Sequence, residues 1–279
     1  MKNKIIFALL FGILINCYMP IVLAEELYNT PVYHNYQTIG LKAAEKEYKK
    51  LIKKNSKDEA AYIDMVYVYY QEEQPENIIK VGMEGTKKIP DAYVLYNFMG
   101  AAYESLKNID GAVWAYSKSI DVYPSEPPYY NRGKIWFEKK DYNRAITDFT
   151  KALEYLDKDK PADEKIAQER FFDLYAYRGY SYMGLEEYGK AIADFDMAIQ
   201  ANSTNPYAYF NRSKAKVLKI TKMEMKDKKS ELEANSLIKS AVNDIELTLK
   251  YARESNNAEL YNQAINTKNF LYETFGSKK

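Results

Sequence analysis

The stretch that decides the fold is YNRGKIWFEKKDYNRAITDF, Tyr130 to Phe149, read beside a near-copy of it, YRGYSYMGLEEYGKAIADF, Tyr177 to Phe195. Both contain Arg-Gly, aromatic residues, a further tyrosine, Ala-Ile and Asp-Phe in the same order. Gly133 and Gly179 hold the same place in the two copies and are 46 residues apart. Such self-similarity is the sequence signature of a protein built from structural repeats.

The pattern continues on both sides of these two stretches. A small or short residue recurs at spacings of 34, 33, 46 and 34 residues. The residues in this small-residue position are Val66, Gly100, Gly133, Gly179 and Ser213. An aromatic residue stands four positions earlier, at Tyr62, Tyr96, Tyr129, Tyr175 and Tyr209, and another three positions later, at Tyr69, Tyr103, Trp136 and Tyr182. Chance does not produce this set of coincidences in four units.

Each unit has the periodicity of two α-helices. Tyr96, Gly100 and Tyr103 are spaced i, i+4, i+7 and therefore share one helix face, and the segment 145–152 shows the same spacing. Helix breakers such as Asn205-Pro206 stand at the junctions. A small residue is needed where two helix axes approach closely. One such helix pair cannot bury its apolar face alone, whereas stacked pairs can.

These motifs resemble the tetratricopeptide repeat (TPR) family. The matching residues are Tyr96, Gly100, Tyr103, Ala112, Tyr116 and Pro124, then Tyr129, Gly133, Trp136, Tyr142, Ala145, Phe149 and Ala152, then Tyr175, Gly179, Tyr182, Tyr188, Ala191, Phe195 and Ala198. The resemblance covers about 59–198 well and 199–254 in part. It implies an all-α fold, a right-handed α-solenoid of about five TPR-type helix-turn-helix repeats plus a C-terminal capping helix. The family is a generic partner-binding scaffold, so the resemblance is specific for fold rather than for function.

The register of the repeat divides the chain into nine segments. They are a signal peptide (1–24), an irregular lead-in (25–39), an N-terminal half repeat or capping helix (40–58), TPR 1 (59–92), TPR 2 (93–125), TPR 3 (126–160), TPR 4 with an extended first helix (161–205), TPR 5 with an elongated helical hairpin (206–255), and a capping helix with a tail (256–279).

Two of these units are longer than the ordinary period. In TPR 4 we expect the first helix to begin near Pro161, about ten residues early. In TPR 5 the residues Ile220 to Glu233 are expected to prolong both helices, with Ser236 as the N-cap of the second helix. This lysine-rich hairpin is either a solvated extension or a contact arm for a partner, and the sequence leaves both readings open.

The N-terminus predicts export. Lys2 and Lys4 precede an apolar run, and the segment ends in Val22-Leu23-Ala24, which favours a signal peptide cut after Ala24. The expected localisation is periplasmic or secreted, in a bacterial cell envelope, with no membrane span after cleavage. A membrane anchor and lipidation of Cys17 are the alternatives, although the apolar run is shorter than the roughly 20 residues of a span.

Composition gives no sign of catalysis or of nucleic-acid binding. There are 40 basic against 39 acidic residues, so no basic field would attract a nucleic acid. His34 is the only histidine and Cys17 the only cysteine, which leaves no metal-ligand set, and no Gly-rich phosphate loop follows a strand. Asp148 and Asp194 recur beside core aromatics and are interpreted as solvated or helix-pairing groups. We therefore expect no catalytic residues, no cofactor, no metal and no enzymatic activity.

The resemblance implies that the binding site is a concave groove, lined by the first helix of each repeat on the face that points away from the second helix. The residues expected there are Tyr67, Tyr70, Asn97, Phe98, Tyr130, Asn131, Lys134, Phe137, Tyr177, Tyr180, Phe210, Asn211 and Lys214. Exposed aromatics beside amides suit an extended peptide. The hypothesis is a scaffold that binds a protein or peptide partner, in envelope assembly or secretion. The alternatives are a carbohydrate-binding module that uses the same rings, and rings that merely pack between repeats. Tyr142 and Tyr188 are expected off this face, and the oligomeric state is not indicated.

Overall fold

The computed structural model describes residues 31–275, which contain thirteen α-helices. They are α1 (Pro31–Thr38), α2 (Leu41–Lys54), α3 (Glu59–Gln71), α4 (Pro75–Lys88), α5 (Tyr93–Ser105), α6 (Ile109–Val122), α7 (Glu126–Glu138), α8 (Tyr142–Lys158), α9 (Glu164–Gly184), α10 (Tyr188–Ala201), α11 (Pro206–Lys222), α12 (Lys228–Glu254) and α13 (Ala258–Phe275). No strand occurs between residues 31 and 275. The predicted all-α class is confirmed. The predicted signal peptide and its alternatives lie outside the described residues.

The chain divides into two compact units. The first unit comprises the described residues up to Ile135 together with Glu154–Asp159, and the second comprises Trp136–Leu153 together with the residues from Lys160 onward. In the first unit α1 packs on α2, α3 on α4 and α5 on α6, and α3 also contacts α5. In the second unit α9 packs on α10 and α11 on α12, while α13 covers α12. Each unit is therefore a stack of helix pairs, as the repeat predicts.

The lead-in was predicted to be irregular, and for its described part this is wrong. Pro31–Thr38 forms α1, which packs on both α2 and α3, so the predicted half repeat is one member of a helix pair. Tyr33 lies 5.2 Å from Tyr67 between ring centroids, and the two residues are 34 positions apart, which is the repeat period. Pro31 fits the start of a helix because the missing N–H would be unpaired there. The helix has only eight residues, too few to show a stripe in the sequence.

The turns inside four of the helix pairs, from α3–α4 to α9–α10, repeat a single geometry. The residue at its centre has a left-handed backbone, with φ of 55° at Glu73 and 59° at Lys107, Lys140 and Glu186. The following N–H reaches back to a carbonyl five residues earlier, for example from Asn108 to Tyr103 at 2.8 Å. The same bond ends on the carbonyls of Tyr69, Trp136 and Tyr182. This Schellman-type C-cap satisfies the last carbonyls of the first helix. The aromatic residue three positions after the small residue therefore supplies the backbone carbonyl that accepts the hydrogen bond closing each of these turns.

The small-residue position marks close helix contacts, as predicted. A Cβ placed on Gly179 would lie 3.1 Å from Cε1 of Phe195 on α10, and one placed on Gly100 would overlap the ring of Tyr116 on α6. Because the partner atoms are rings packed in the core, a larger residue has little room. The repeated glycine thus lets the second-helix aromatic approach the backbone of the first helix.

The long units differ from expectation only in their helix starts. In TPR 4 the first helix begins at Glu164 rather than Pro161, because the Asp163 carboxylate accepts the N–H groups of Lys165 and Ile166 and so caps it. In TPR 5 the second helix begins at Lys228, and its N-cap is Asp227, which forms a capping box with Ser230. Ser236 lies inside α12, so the N-cap predicted there is wrong. The two helices of the hairpin run from Pro206 to Lys222 and from Lys228 to Glu254.

Candidate functional site

The first unit brings several predicted groove residues together. Tyr67 and Tyr70 on α3 lie 6.5 Å and 6.0 Å from Phe98 on α5, each in an edge-on arrangement between ring centroids. Tyr33 adds its ring against Tyr67. Tyr67 and Tyr70 are half-buried, whereas Phe98 is buried. We name Tyr67, Tyr70 and Phe98 the first aromatic cluster, and two of its three rings reach the surface.

The second unit contains a corresponding group of rings. Phe137 at the end of α7 lies 5.6 Å from Tyr177 and 6.2 Å from Tyr180, both on α9, between ring centroids. All three are half-buried. Asn211 on α11 donates a hydrogen bond from Nδ2 to the Tyr180 hydroxyl at 2.8 Å. We name Phe137, Tyr177 and Tyr180 the second aromatic cluster.

The tyrosines of the second aromatic cluster are neutral phenols. Burial raises the pKa of Tyr180 to about 12, and the nearby Tyr177 and Tyr207 act in the same direction. Burial also raises the pKa of Tyr177, helped by the charges of Asp173 and Glu138. Neutral phenols offer ring faces and hydroxyl donors to a ligand rather than a phenolate charge. The arrangement therefore suits recognition by packing and hydrogen bonding.

Several predicted groove residues are buried, so the expectation that they present exposed side chains is wrong. Tyr130 is 1% exposed, and the ammonium of Lys134 lies 4.9 Å from its ring centroid. The other buried members of the predicted set are Asn97, Phe98, Asn131, Phe210 and Asn211. Lys214 is exposed and lies over the Phe210 ring. The periodicity that places a side chain on a helix face does not specify what packs over it. These buried residues therefore fit the alternative interpretation, in which the side chains pack between repeats.

The recurring Arg and Asp of the opening motif form an ion pair. Arg178 on α9 donates to Asp194 on α10 through Nε at 2.9 Å and Nη2 at 2.7 Å, and Nη1 reaches Thr150 on α8. Burial raises the pKa of Asp194, although the Arg178 hydrogen bonds oppose this shift. Asp194 is thus a helix-pairing group, one of the two roles considered from the sequence. The arginine partner was missed, and its signal was the recurring Arg-Gly.

A second network of buried charge lies between α11 and α12. Asp244 is 1% exposed and accepts hydrogen bonds from Arg212 at 2.9 Å and from Lys216 at 2.7 Å. Lys216 also donates to Ser240 at 2.7 Å. The side chains that surround Asp244 therefore compensate its charge, which gives the network a structural role.

Sequence reasoning also missed a hollow beside the first aromatic cluster. Tyr70, Ile78, Ala101, Ala102 and Ser105 line a cavity of about 200 Å³ between the α3–α4 turn and the end of α5. The signal in the sequence was the small size of the three α5 residues. The corresponding positions one repeat later hold Lys134, Ile135 and Glu138, which are larger.

Residues 31–275 show neither a metal-binding group nor a membrane-spanning helix. No cluster of three or more His, Cys, Asp or Glu side chains within that range could hold a metal ion. None of the described helices combines the length and the apolar character needed to cross a bilayer.

Comparisons with known proteins agree with this geometry. A model of the tetratricopeptide repeat family matches residues 127–159. The crystal structure of the MamA protein superimposes with a TM-score of 0.54 at 16% sequence identity, covering 72% of this chain and 95% of MamA. YrrB, described as a TPR protein with an unusual peptide-binding site, gives a TM-score of 0.53 at 15% identity, covering 74% of this chain and 97% of YrrB. No curated protein matches the chain in sequence.

Identities this low establish the fold alone. The matched tetratricopeptide repeat suggests protein–protein interaction, for which such repeats are general scaffolds. The chain thus contains a sequence match to a tetratricopeptide repeat at residues 127–159, and its described helix pairs have the fold of tetratricopeptide repeat proteins.

Proposed function

We propose that the protein is an exported, non-catalytic scaffold that binds extended segments of other proteins at its aromatic clusters, each of which lies within one unit. The observation that carries the proposal is the set of half-buried rings, Tyr67 and Tyr70 in one unit and Phe137, Tyr177 and Tyr180 in the other. Aromatic side chains that keep part of their surface open are enriched at binding hot spots because they supply large contact area with few rotatable bonds.

The setting of this scaffold is a bacterial cell envelope, in assembly or secretion. The support for export comes from Lys2, Lys4 and the Val22-Leu23-Ala24 end of the apolar run. The support for peptide recognition includes the peptide-binding site described for YrrB, which shares the fold. A polysaccharide partner is the alternative occupant of the same rings, and the experiment below separates the two.

Selection from a displayed library of random dodecapeptides on the purified chain tests the proposal. Peptides that enrich should bind with lower affinity to Tyr67→Ala or to Phe137→Ala. If the substituted ring is a hot spot, the loss is about 30-fold, which corresponds to about 2 kcal/mol. Thermal unfolding of each variant separates lost contact from core damage, because core damage lowers both the melting temperature and the affinity.

Two outcomes would count against the proposal. Enriched peptides that bind both ring variants as they bind the parent would remove the aromatic clusters from the site. The second is a library that yields no binder, together with purified envelope polysaccharide that binds the parent chain but not the Phe137→Ala variant. That result would make the aromatic clusters a carbohydrate-binding site.

A further inference from the structure

The hollow beside the first aromatic cluster has an apolar interior. Ile78, Ala101 and Ala102 form its floor, and each is no more than 3% exposed. Tyr70 forms one wall, and its ring packs edge-on against Phe98. Ser105 stands at the open side and is exposed. An apolar recess with an aromatic wall stabilises an apolar group that enters it, because water leaves both surfaces.

The size of the hollow limits what it can hold. Its volume of about 200 Å³ is below the roughly 300–1,000 Å³ of pockets for drug-sized ligands and cofactors. A single apolar side chain presented by a peptide is a better match than a free small molecule. The recess exists because α5 carries Ala101, Ala102 and Ser105 where the next repeat carries larger residues.

The rim of the hollow is acidic. Glu73 lines the opening, and Glu72 and Glu76 flank it in the α3–α4 turn. Residues 70–79 contain these three glutamates and no lysine or arginine. The Glu72 carboxylate accepts a hydrogen bond from the Tyr36 hydroxyl at 2.6 Å, which fixes it beside the turn. Such a rim attracts a basic residue next to the apolar one and disfavours an acidic one.

We propose that this hollow binds an apolar side chain of the partner peptide, with an adjacent lysine or arginine paired to the glutamates of the α3–α4 turn. The proposal rests on the proposed function and specifies the chemistry of the partner. It commits to a segment of another protein that carries an apolar residue next to a basic one.

Two variants of the full chain test the assignment. Ser105→Phe fills the recess from an exposed position and leaves the buried floor unchanged. Glu73→Lys reverses the rim charge without added backbone strain, because Glu73 itself, like Lys107 and Lys140 in the equivalent turns, already has a left-handed φ. The matched controls are Gln200→Phe, at an exposed position of the second helix α10, and Glu186→Lys, in the equivalent turn of TPR 4.

The probes are peptides enriched from the random dodecapeptide library, measured by fluorescence anisotropy. We expect the enriched sequences to share an apolar residue beside Lys or Arg. Ser105→Phe should weaken their binding about 30-fold or more, since it removes a buried anchor. Glu73→Lys should weaken it about threefold to tenfold, and this loss should shrink at high salt. Both control variants should bind as the parent does, with all melting temperatures recorded.

Other results would overturn the inference. Peptides that lack the apolar–basic pair, or that bind Ser105→Phe and Glu73→Lys like the parent, would exclude the hollow. If those peptides nevertheless bind the Phe137→Ala variant more weakly than the parent, the proposed function stands and only the role of the hollow is refuted. A library with no binder at all would refute both proposals. Self-association of the chain that Ser105→Phe abolishes would assign the hollow to a second copy instead.

Discussion

The guanidinium of Arg178 and the carboxylate of Asp194 join the two halves of the repeated motif. Arg178 belongs to the Arg-Gly stretch of α9, and Asp194 to the Asp-Phe stretch of α10, 16 residues later. In the next repeat Arg212 pairs in the same way with Asp244, and it also reaches Asp196 of the preceding repeat. Arg178 likewise donates a hydrogen bond to Thr150, which holds in the preceding repeat the position that Asp196 holds in its own. Each arginine thus ties its own helix pair to the one before.

Removal of Arg178 should destabilise the second unit strongly. Asp194 is 5% exposed, so Arg178→Met leaves a buried carboxylate without its cation. We expect a loss of about 3 kcal/mol in the free energy of unfolding, measured by urea titration. The control is Lys190→Met, which removes the exposed partner of Glu187 and should leave the denaturation midpoint near that of the parent. Equal effects of the two variants would show that the Arg178 pair has no special role.

Glycine-to-alanine substitution should lower the free energy of unfolding at Gly100 and raise it at Gly189. At Gly100 the new methyl group meets the Tyr116 ring, and overpacking should cost about 1–3 kcal/mol. At Gly189, which is helical and has nothing within 4 Å of an added Cβ, alanine should gain about 0.5–1 kcal/mol through its higher helix propensity. Thermal unfolding of the two variants checks this. If Gly100→Ala were as stable as Gly189→Ala, the small-residue position would not mark a close approach.

The left-handed turns predict a stabilising lysine-to-glycine substitution. Lys107 has φ of 59°, a conformation that costs a residue with a Cβ roughly 1–2 kcal/mol. Lys107→Gly should therefore raise the free energy of unfolding by about 0.5–1 kcal/mol after the entropy of glycine in the unfolded chain is subtracted. Lys118→Gly, inside α6, is the control and should lower it by about 1 kcal/mol. A destabilised Lys107→Gly variant would contradict the turn geometry.

The capping box of α12 predicts a pH dependence. Hydrogen bonds from the Ser230 backbone and side chain hold the pKa of Asp227 below its ordinary value of 3.8. Because the folded-state pKa is lowered, the stabilisation is present above the unfolded pKa and is lost as the pH falls through the folded one. Asp227→Asn removes a titrating cap, so its melting temperature should fall less steeply than that of the parent below about pH 4. Parallel curves for the two proteins would refute this.

Export is tested on the natural protein. The N-terminal sequence predicts cleavage between Ala24 and Glu25. Amino-terminal sequencing of the mature protein should begin at Glu25, in an envelope or secreted fraction. An uncut chain in the cytoplasm would remove the proposed localisation, and a lipid on Cys17 would place the protein on a membrane instead.

The sequence predicted the helices well because each one depends on local signals. The repeat period and the breakers placed both helices of the middle pairs within a few residues. The predicted start of α12 was wrong, because its N-cap is Asp227 rather than Ser236. α1 was missed because its periodic stripe is too short. Burial of Tyr130 and the hollow beside Tyr70 were not predicted, since both depend on the sizes of side chains contributed by neighbouring helices.

The most direct measurement of the central claim is hydrogen–deuterium exchange with and without a saturating enriched peptide. A partner bound to the aromatic clusters should slow amide exchange in the segments that carry them, the C-terminal half of α3 and residues 177–184 of α9, because a bound ligand suppresses local opening. The second helix α10 should exchange as it does in the free protein. Protection confined to the α11–α12 hairpin, from Ile220 to Glu233, with no change at the aromatic clusters would contradict the account and make that hairpin the contact arm.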